Sequence, residues 1–178
     1  MRPSPGLGAL LLALGACAAP PGSPGYRGAF DAAQGYQAGQ GYQSCVPFAR
    51  ERSGIRLGGD AWQWWDAAAG RYARGGPPRP GSVLVFARTA RLRDGHLSVV
   101  TEVISDREVR VDHANWASGG LKGRVALDQA VIDVSPGNDW SAVRVWYPPI
   151  GAVGNTVFPA LGFVHHDILQ AAVGPDQS

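Results

Sequence analysis

Apolar and polar positions divide this chain into three regimes. Residues 7–16 form an unbroken apolar run after Arg2, about the length of a leader core and too short to cross a membrane as a mature helix. Residues 18–41 are rich in Pro, Gly, Ala and Gln with no apolar period, a composition that cannot bury a core and reads as a tether. From residue 44 onward the pattern is that of a folded domain. Ser44 is a good N-cap, Pro47 is tolerated in a first turn, and Ser53-Gly54 is a stop, so a helix is predicted to open at Cys45. Asp60 and Gly70 bracket a second predicted helix, with Trp62, Trp64 and Trp65 covering most of its circumference. Core packing is the plainer use of those rings; lining a groove for a sugar or peptide is the other.

Beyond a Gly/Pro-rich connection at 74–81, short β-branched runs follow at 82–86, 96–104, 108–116, 125–127, 131–134 and 142–147. Helices first and strands afterwards predict an α+β domain, with N-terminal helices packed on a mostly antiparallel β-sheet of about six strands. The expected organisation is a signal peptide at 1–16, a tether at 17–35, a catalytic domain at 36–150 and a C-terminal extension at 151–178, weakly helical near 168–173.

The 178 residues suffice for one domain with a real core plus a leader or tail. Sixteen basic against fourteen acidic residues leave a net charge of +2, which excludes the electrostatic signature of a nucleic-acid binder. All the basic residues except Lys122 are arginine, a compositional bias and not a phosphate-binding device. Two cysteines, Cys17 and Cys45, are too few for a disulfide scaffold. Leu14-Gly15-Ala16-Cys17 resembles the lipobox of bacterial lipoproteins, where cleavage precedes a cysteine that is then lipidated. That resemblance implies export to the periplasm or cell envelope and a membrane anchor through lipid on Cys17. Ala16-Cys17-Ala18 also fits a small-residue site for an ordinary signal peptidase.

The chemistry turns on Cys45. The start of a helix is the positive end of its dipole, which favours thiolate over thiol. A small buried apolar residue is the plainer reading of a lone cysteine, so its partners decide. If the 96–116 hairpin turns at Asp106-Arg107, Ile104 faces Val109 and Ser98 faces Asn115. His96, Ser98 and Val100 then share a face with Asn115, His113 and Val111, and His96 and Asn115 are diagonal neighbours about 7–8 Å apart. A one-residue slip would put Asn115 on the other face. Cys45, His96 and Asn115 thereby compose a Cys-His-Asn arrangement. The imidazole takes the thiol proton and returns one to the leaving amine, while the amide oxygen fixes the ring's tautomer. No His-Glu-x-x-His or paired Cys-x-x-Cys spacing is present, and His165-His166 are adjacent, so a metal site and a cofactor are not expected.

Gln43-Ser44-Cys45-Val46-Pro47-Phe48-Ala49-Arg50, Asp94-Gly95-His96-Leu97-Ser98-Val99-Val100 and His113-Ala114-Asn115-Trp116 resemble, in this order, the three motifs of the CHAP family. These are cysteine- and histidine-dependent amidohydrolases and peptidases of the papain-like fold. The resemblance spans roughly Tyr42 to Tyr147. It implies a peptidoglycan amidase or endopeptidase working through an acyl-thioester, with peptidoglycan or a muropeptide as substrate. Many members carry a glutamate two residues before the asparagine; here that position is His113, which leaves Asn115 as the expected orienter of His96. Gln43 is a candidate oxyanion donor beside the Cys45 N–H, His113 a possible site-lining residue, and Trp116 a shield for the histidine. Some phage members bind calcium, but this chain has no Asp-rich loop of the needed spacing. A non-catalytic wall-binding lipoprotein, an amidase of another small amide and an enzyme that needs an activating protein partner remain open readings.

Overall fold

Helix α1 (Cys45–Ser53) starts after an extended Ser44 and ends where Gly54 takes the left-handed conformation, φ +76°, its N–H returning to Arg50 O at 3.0 Å. Ser44 makes no side-chain cap bond; its carbonyl takes the Phe48 N–H at 3.3 Å. The second helix is shorter than its pattern implies: a 3-10 turn at Ala61–Gln63 runs into α2 (Trp64–Ala67). Gln63 Oε1 reaches back to the Asp60 N–H at 2.7 Å and tightens this entry. Only Trp64 is fully buried, while Trp62 and Trp65 each carry an arginine, Arg88 and Arg74, at 5.0 Å over the ring. This computed structural model describes residues 41–117 and 119–168. The leader, Cys17, the 17–35 tether and residues 169–173 of the expected weak helix lie outside the described residues.

Eight strands follow: β1 (Tyr72–Arg74), β2 (Val83–Phe86), β3 (His96–Val103), β4 (Glu108–Ala114), β5 (Val125–Asp133), β6 (Ala142–Tyr147), β7 (Ala152–Val153) and β8 (Phe158–Ile168). Every pairing is antiparallel, in the order β1-β8-β2-β3-β4-β5-β6-β7, and β8 also pairs with β6. Strands β8, β2, β3, β4, β5 and β6 therefore close on themselves as a barrel, with β1 and β7 as flanking ribbons. Closure removes edges that an open sheet would leave unpaired.

The α+β class stands, but the strand count and the role of the last segment need correction. The runs at 125–127 and 131–134 are one strand, continued through Asp128 at φ +54° beside a bulge in the β4–β5 ladder. The stretch expected as an extension after residue 150 contributes β7 and β8. Strand β8 buries Phe158, Ala160, Phe163 and Val164 and holds β1, β2 and β6 together.

Side chains alternate across the barrel wall. Val83, Val85, Leu97 and Val99 point out and pack beneath Ala49, Trp64 and Ala68 of the helices. Leu84, Phe86, Val100, Val109, Val111, Val143 and Phe163 point in and fill the barrel. The helices thus lie against the β2–β3–β8 side, which fixes where α1 begins relative to β3.

Candidate active site

Antiparallel order brings the end of β2, the start of β3, the end of β4 and the start of β8 to one mouth of the barrel. A cleft of about 670 Å³ opens there, and Ser44, Cys45 and Val46 at the head of α1 form one wall. His96, Asn115 and Trp116 line it from the barrel side. Three sequence-predicted residues, Cys45, His96 and Asn115, therefore meet in one cleft. Gln43 does not line it; its backbone N–H donates to Gly123 O at 2.8 Å. Trp62, Trp64 and Trp65 do not line it either.

The ring nitrogen Nε2 of His96 faces Nδ1 of His113 at 3.2 Å. Asn115 does not hold this place: it stands at φ +61° and its Oδ1 accepts the Gly123 N–H at 2.9 Å. The register explains the exchange. Val103 pairs with Val109 and Glu102 with Arg110; a bulge at Thr101 then resets the ladder, so that Val100 pairs with Val111 and Val99 with Asp112. Continued along the strands, this puts Ser98 opposite His113, two residues away from the expected pairing. An even shift keeps every side chain on its face but changes its neighbour, so His113 becomes the diagonal partner of His96.

Trp116 closes over both rings, with centroids 4.8 Å from His96 and 5.4 Å from His113, the latter stacked at 23°. Phe86 meets His96 edge-on at 5.5 Å, and Phe158 supports Trp116 at 4.9 Å. The histidine pair is thus set in an aromatic box that excludes water and strengthens the bond between the rings.

Only one proton can lie between the rings. On His96 Nε2 it is donated to His113 Nδ1, and His96 Nδ1 keeps a free lone pair. Among the described residues His96 Nδ1 has no hydrogen-bond partner, yet it is not among the sealed polar atoms. His113 Nε2 is sealed and unpartnered, as is the Oγ of Ser98 across the ladder.

Burial sets the charge of the site. It pushes the Cys45 thiol above its ordinary value; the backbone amides of Leu97, Cys45 and Val46 pull in the other direction, and the Asp94 carboxylate adds to the rise. Burial and then the neighbouring His113 hold His96 well below the usual histidine value, and burial takes His113 down to about 3. The resting pair is a neutral thiol and a neutral imidazole, so desolvation outweighs the helix-dipole effect expected at Cys45.

Protonating these rings opposes folding. The unfolded chain binds protons near 6.5 while folded His113 does not until about 3, so stability is full above 6.5 and declines as pH falls through that window. From pH 7 to pH 5 the loss attributable to His113 is about 2 kcal/mol, read as a lower urea midpoint. His113→Gln is expected to lose that part of the slope. An unchanged wild-type midpoint would mean that His113 protonates freely in the fold.

Gly95 places His96. At φ +69° it lies in the left-handed region, and a Cβ there would stand 2.7 Å from Phe86 O and 2.8 Å from Trp62 N, both backbone atoms. Gly95→Ala is expected to destabilise the fold by more than about 2 kcal/mol and to displace His96, as read by urea denaturation.

Two ties hold α1 to the barrel. Arg52 meets the nearly buried Asp112 of β4 at 2.7 Å, and Asp112 Oδ1 also accepts the Asp128 N–H at 3.0 Å. Gly123 is clamped by Asn115 on its N–H, by the Gln43 N–H on its carbonyl, and by the Tyr42 ring against its α-carbon. Asn115 therefore braces the segment that leads into Cys45. The sequence offered no signal for Asp112, and the charges at the cleft wall, Arg50, Arg91, Arg93 and Lys122 with Asp60 and Asp94, became a group only through folding. Among the described residues no cluster of three metal-ligating side chains occurs, and no helix is long and apolar enough to cross a membrane. His165 Nε2 bonds Gly75 O at 2.7 Å, away from this cleft.

Comparison with known families matches residues 35–115 to the CHAP domain, a segment that contains Cys45, His96, His113 and Asn115. No curated protein matches the chain.

Proposed function

The chain carries a CHAP domain over residues 35–115, a family of amidases and peptidases, and on that premise we propose that it is a peptidoglycan hydrolase cutting an amide bond with Cys45 as nucleophile. The observation that carries this reading is that Cys45 and His96 line one cleft while His96 Nε2 lies 3.2 Å from His113 Nδ1; with the shared proton on His96 Nε2, its Nδ1 is the base. The helix-borne cysteine beside a barrel-borne histidine is also what a papain-like arrangement requires.

In this mechanism His96 Nδ1 takes the thiol proton as the sulfur attacks the amide carbonyl, since the thiol is not ionised beforehand. The N–H groups of Cys45 and Val46, which open α1 before Pro47, have no carbonyl partner within the helix and stabilise the oxyanion. His96 returns its proton to the leaving amine, and water hydrolyses the thioester. His113 keeps the tautomer, and Trp116 keeps the pair dry. The leader would bring this chemistry to the cell envelope, held there if Cys17 is lipidated.

The test is mass spectrometry of purified peptidoglycan incubated with the protein and with Cys45→Ala. Cys45-dependent products bearing new termini support the reading. Intact muropeptide binding without products would make the protein a binding module.

A further inference from the structure

Polar atoms from three adjacent strands are stranded together in the carbon-lined interior of the barrel. His113 Nε2, Ser98 Oγ and Gln129 Oε1 are each sealed from solvent and have no hydrogen-bond partner among the described residues. Ser98 and His113 are fully buried, and Gln129 is 3 % exposed. With the β3–β4 ladder continued from Val99–Asp112, Ser98 stands opposite His113. On the other side of β4, Gln129 pairs with Val111, two residues before His113, and so is the diagonal neighbour of His113. Val100, Val111 and Val131 pack inside the barrel, and residues two apart on a strand share a face, so Ser98, His113 and Gln129 point inward with them. The Gln129 Nε2 donates to Leu127 O, which fixes the oxygen as the end of the amide left without a partner.

The tautomer of His113 depends on this corner. When His113 Nδ1 accepts the His96 Nε2 proton, neutral His113 carries its own proton on Nε2, and that buried N–H needs an acceptor. Without one, the opposite arrangement is favoured: His113 Nδ1 donates to His96 Nε2, and the His96 proton sits on Nδ1, where it blocks the base. No two of the three stranded atoms bond each other directly, and a gap ringed by three polar groups suits a bridging water. We propose that one buried water joins them, accepting from His113 Nε2–H and donating to Gln129 Oε1 and Ser98 Oγ. Ser98 and Gln129 are then positioning residues, which act through His113 to keep the free lone pair of His96 on Nδ1. Their bearing on turnover rests on the reading of Cys45 and His96 as nucleophile and base.

Ring 15N shifts read the tautomers independently of catalysis. At pH 7 the full chain is expected to show both His96 and His113 protonated on Nε2. Ser98→Ala removes one acceptor, Gln129→Met removes the other while keeping the length of the side chain, and the double variant removes both. The double variant is expected to carry both ring protons on Nδ1 and to lose at least about tenfold in kcat on soluble muropeptides with KM unchanged, each single variant losing less. Its urea midpoint is not expected to fall, because apolar groups replace buried polar ones, so the loss of kcat is not a loss of fold. A crystal structure of the wild type is expected to show a water within about 3.2 Å of all three atoms. Wild-type His113 protonated on Nδ1, or a double variant with wild-type tautomers, overturns the positioning role, and an ordered interior without that water overturns the bridge. Exchanged tautomers with undiminished kcat uphold the relay and remove His96 as the base. If the wild type cuts no amide, the hydrolase reading fails, and the 15N shifts still decide the relay. Should Gln129→Met not fold, Ser98→Ala, which removes a single oxygen, carries the same comparison.

Discussion

Cys45→Ala is expected to lower amide hydrolysis at least about a thousandfold while changing stability by less than about 1 kcal/mol. The size of the loss follows from the route: without the sulfur no acyl-thioester forms, and water alone must attack a bond that the cleft only positions. Stability is spared because Cys45 is only partly buried at the edge of the outer core, and alanine keeps its Cβ. The charge state makes a further demand on the wild type. Because burial raises the thiol above its ordinary value, alkylation by iodoacetamide at pH 7 should be slower than for a free cysteine and should rise with pH. A thiol that reacts faster than free cysteine would mean an ion pair with His96 in the resting enzyme. Turnover that survives Cys45→Ala would move the chemistry to another group.

What could be read from the sequence was what depends on neighbours along the chain. The start and stop of α1 were legible because Ser44 and Gly54 act within one turn of it. The cysteine, histidine and asparagine motifs were legible because each is a short run. The barrel was not, since it is closed by β8, whose Pro159, Gly162 and His165-His166-Asp167 interrupt the apolar alternation that marks a strand. Its burial is created by β1, β2 and β6, which are far away in sequence. The His96–His113 contact was hidden for a related reason. The turn expected at Asp106-Arg107 put Ile104 opposite Val109, but Val103 takes that place, one residue off; the bulge at Thr101, which restores the parity on the site side, depends on how β3 and β4 twist within the closed sheet. The one available clue was positional: the resemblance to the CHAP motifs led to a glutamate being expected where His113 stands.

That substitution sets up the second large effect. His113→Ala is expected to reduce kcat about a hundredfold or more, because His96 would lose the acceptor that holds its proton on Nε2. His113→Gln, whose side-chain oxygen can accept the same proton, should recover part of the loss, which a purely structural role would not predict. His113→Glu separates geometry from charge. A carboxylate beside His96 favours the imidazolium, so it raises the His96 pKa from its depressed position. The acid limb of kcat/KM, which reports the neutral base, then moves to higher pH. The same imidazolium stabilises the thiolate, so iodoacetamide should alkylate Cys45 faster at pH 7 in His113→Glu than in the wild type. Should the buried carboxylate prevent folding, the kcat of His113→Gln against that of His113→Ala still decides the positioning role. If His113→Ala leaves kcat and its pH profile unchanged while Asn115→Ala abolishes turnover, then Asn115 turns toward the ring when substrate binds, and the His96–His113 contact belongs to the core. The aromatic box argues for the first outcome: Trp116 and Phe86 pack against His96, and Asn115 holds Gly123, so exchanging the two partners would require the box and the Gly123 clamp to open together.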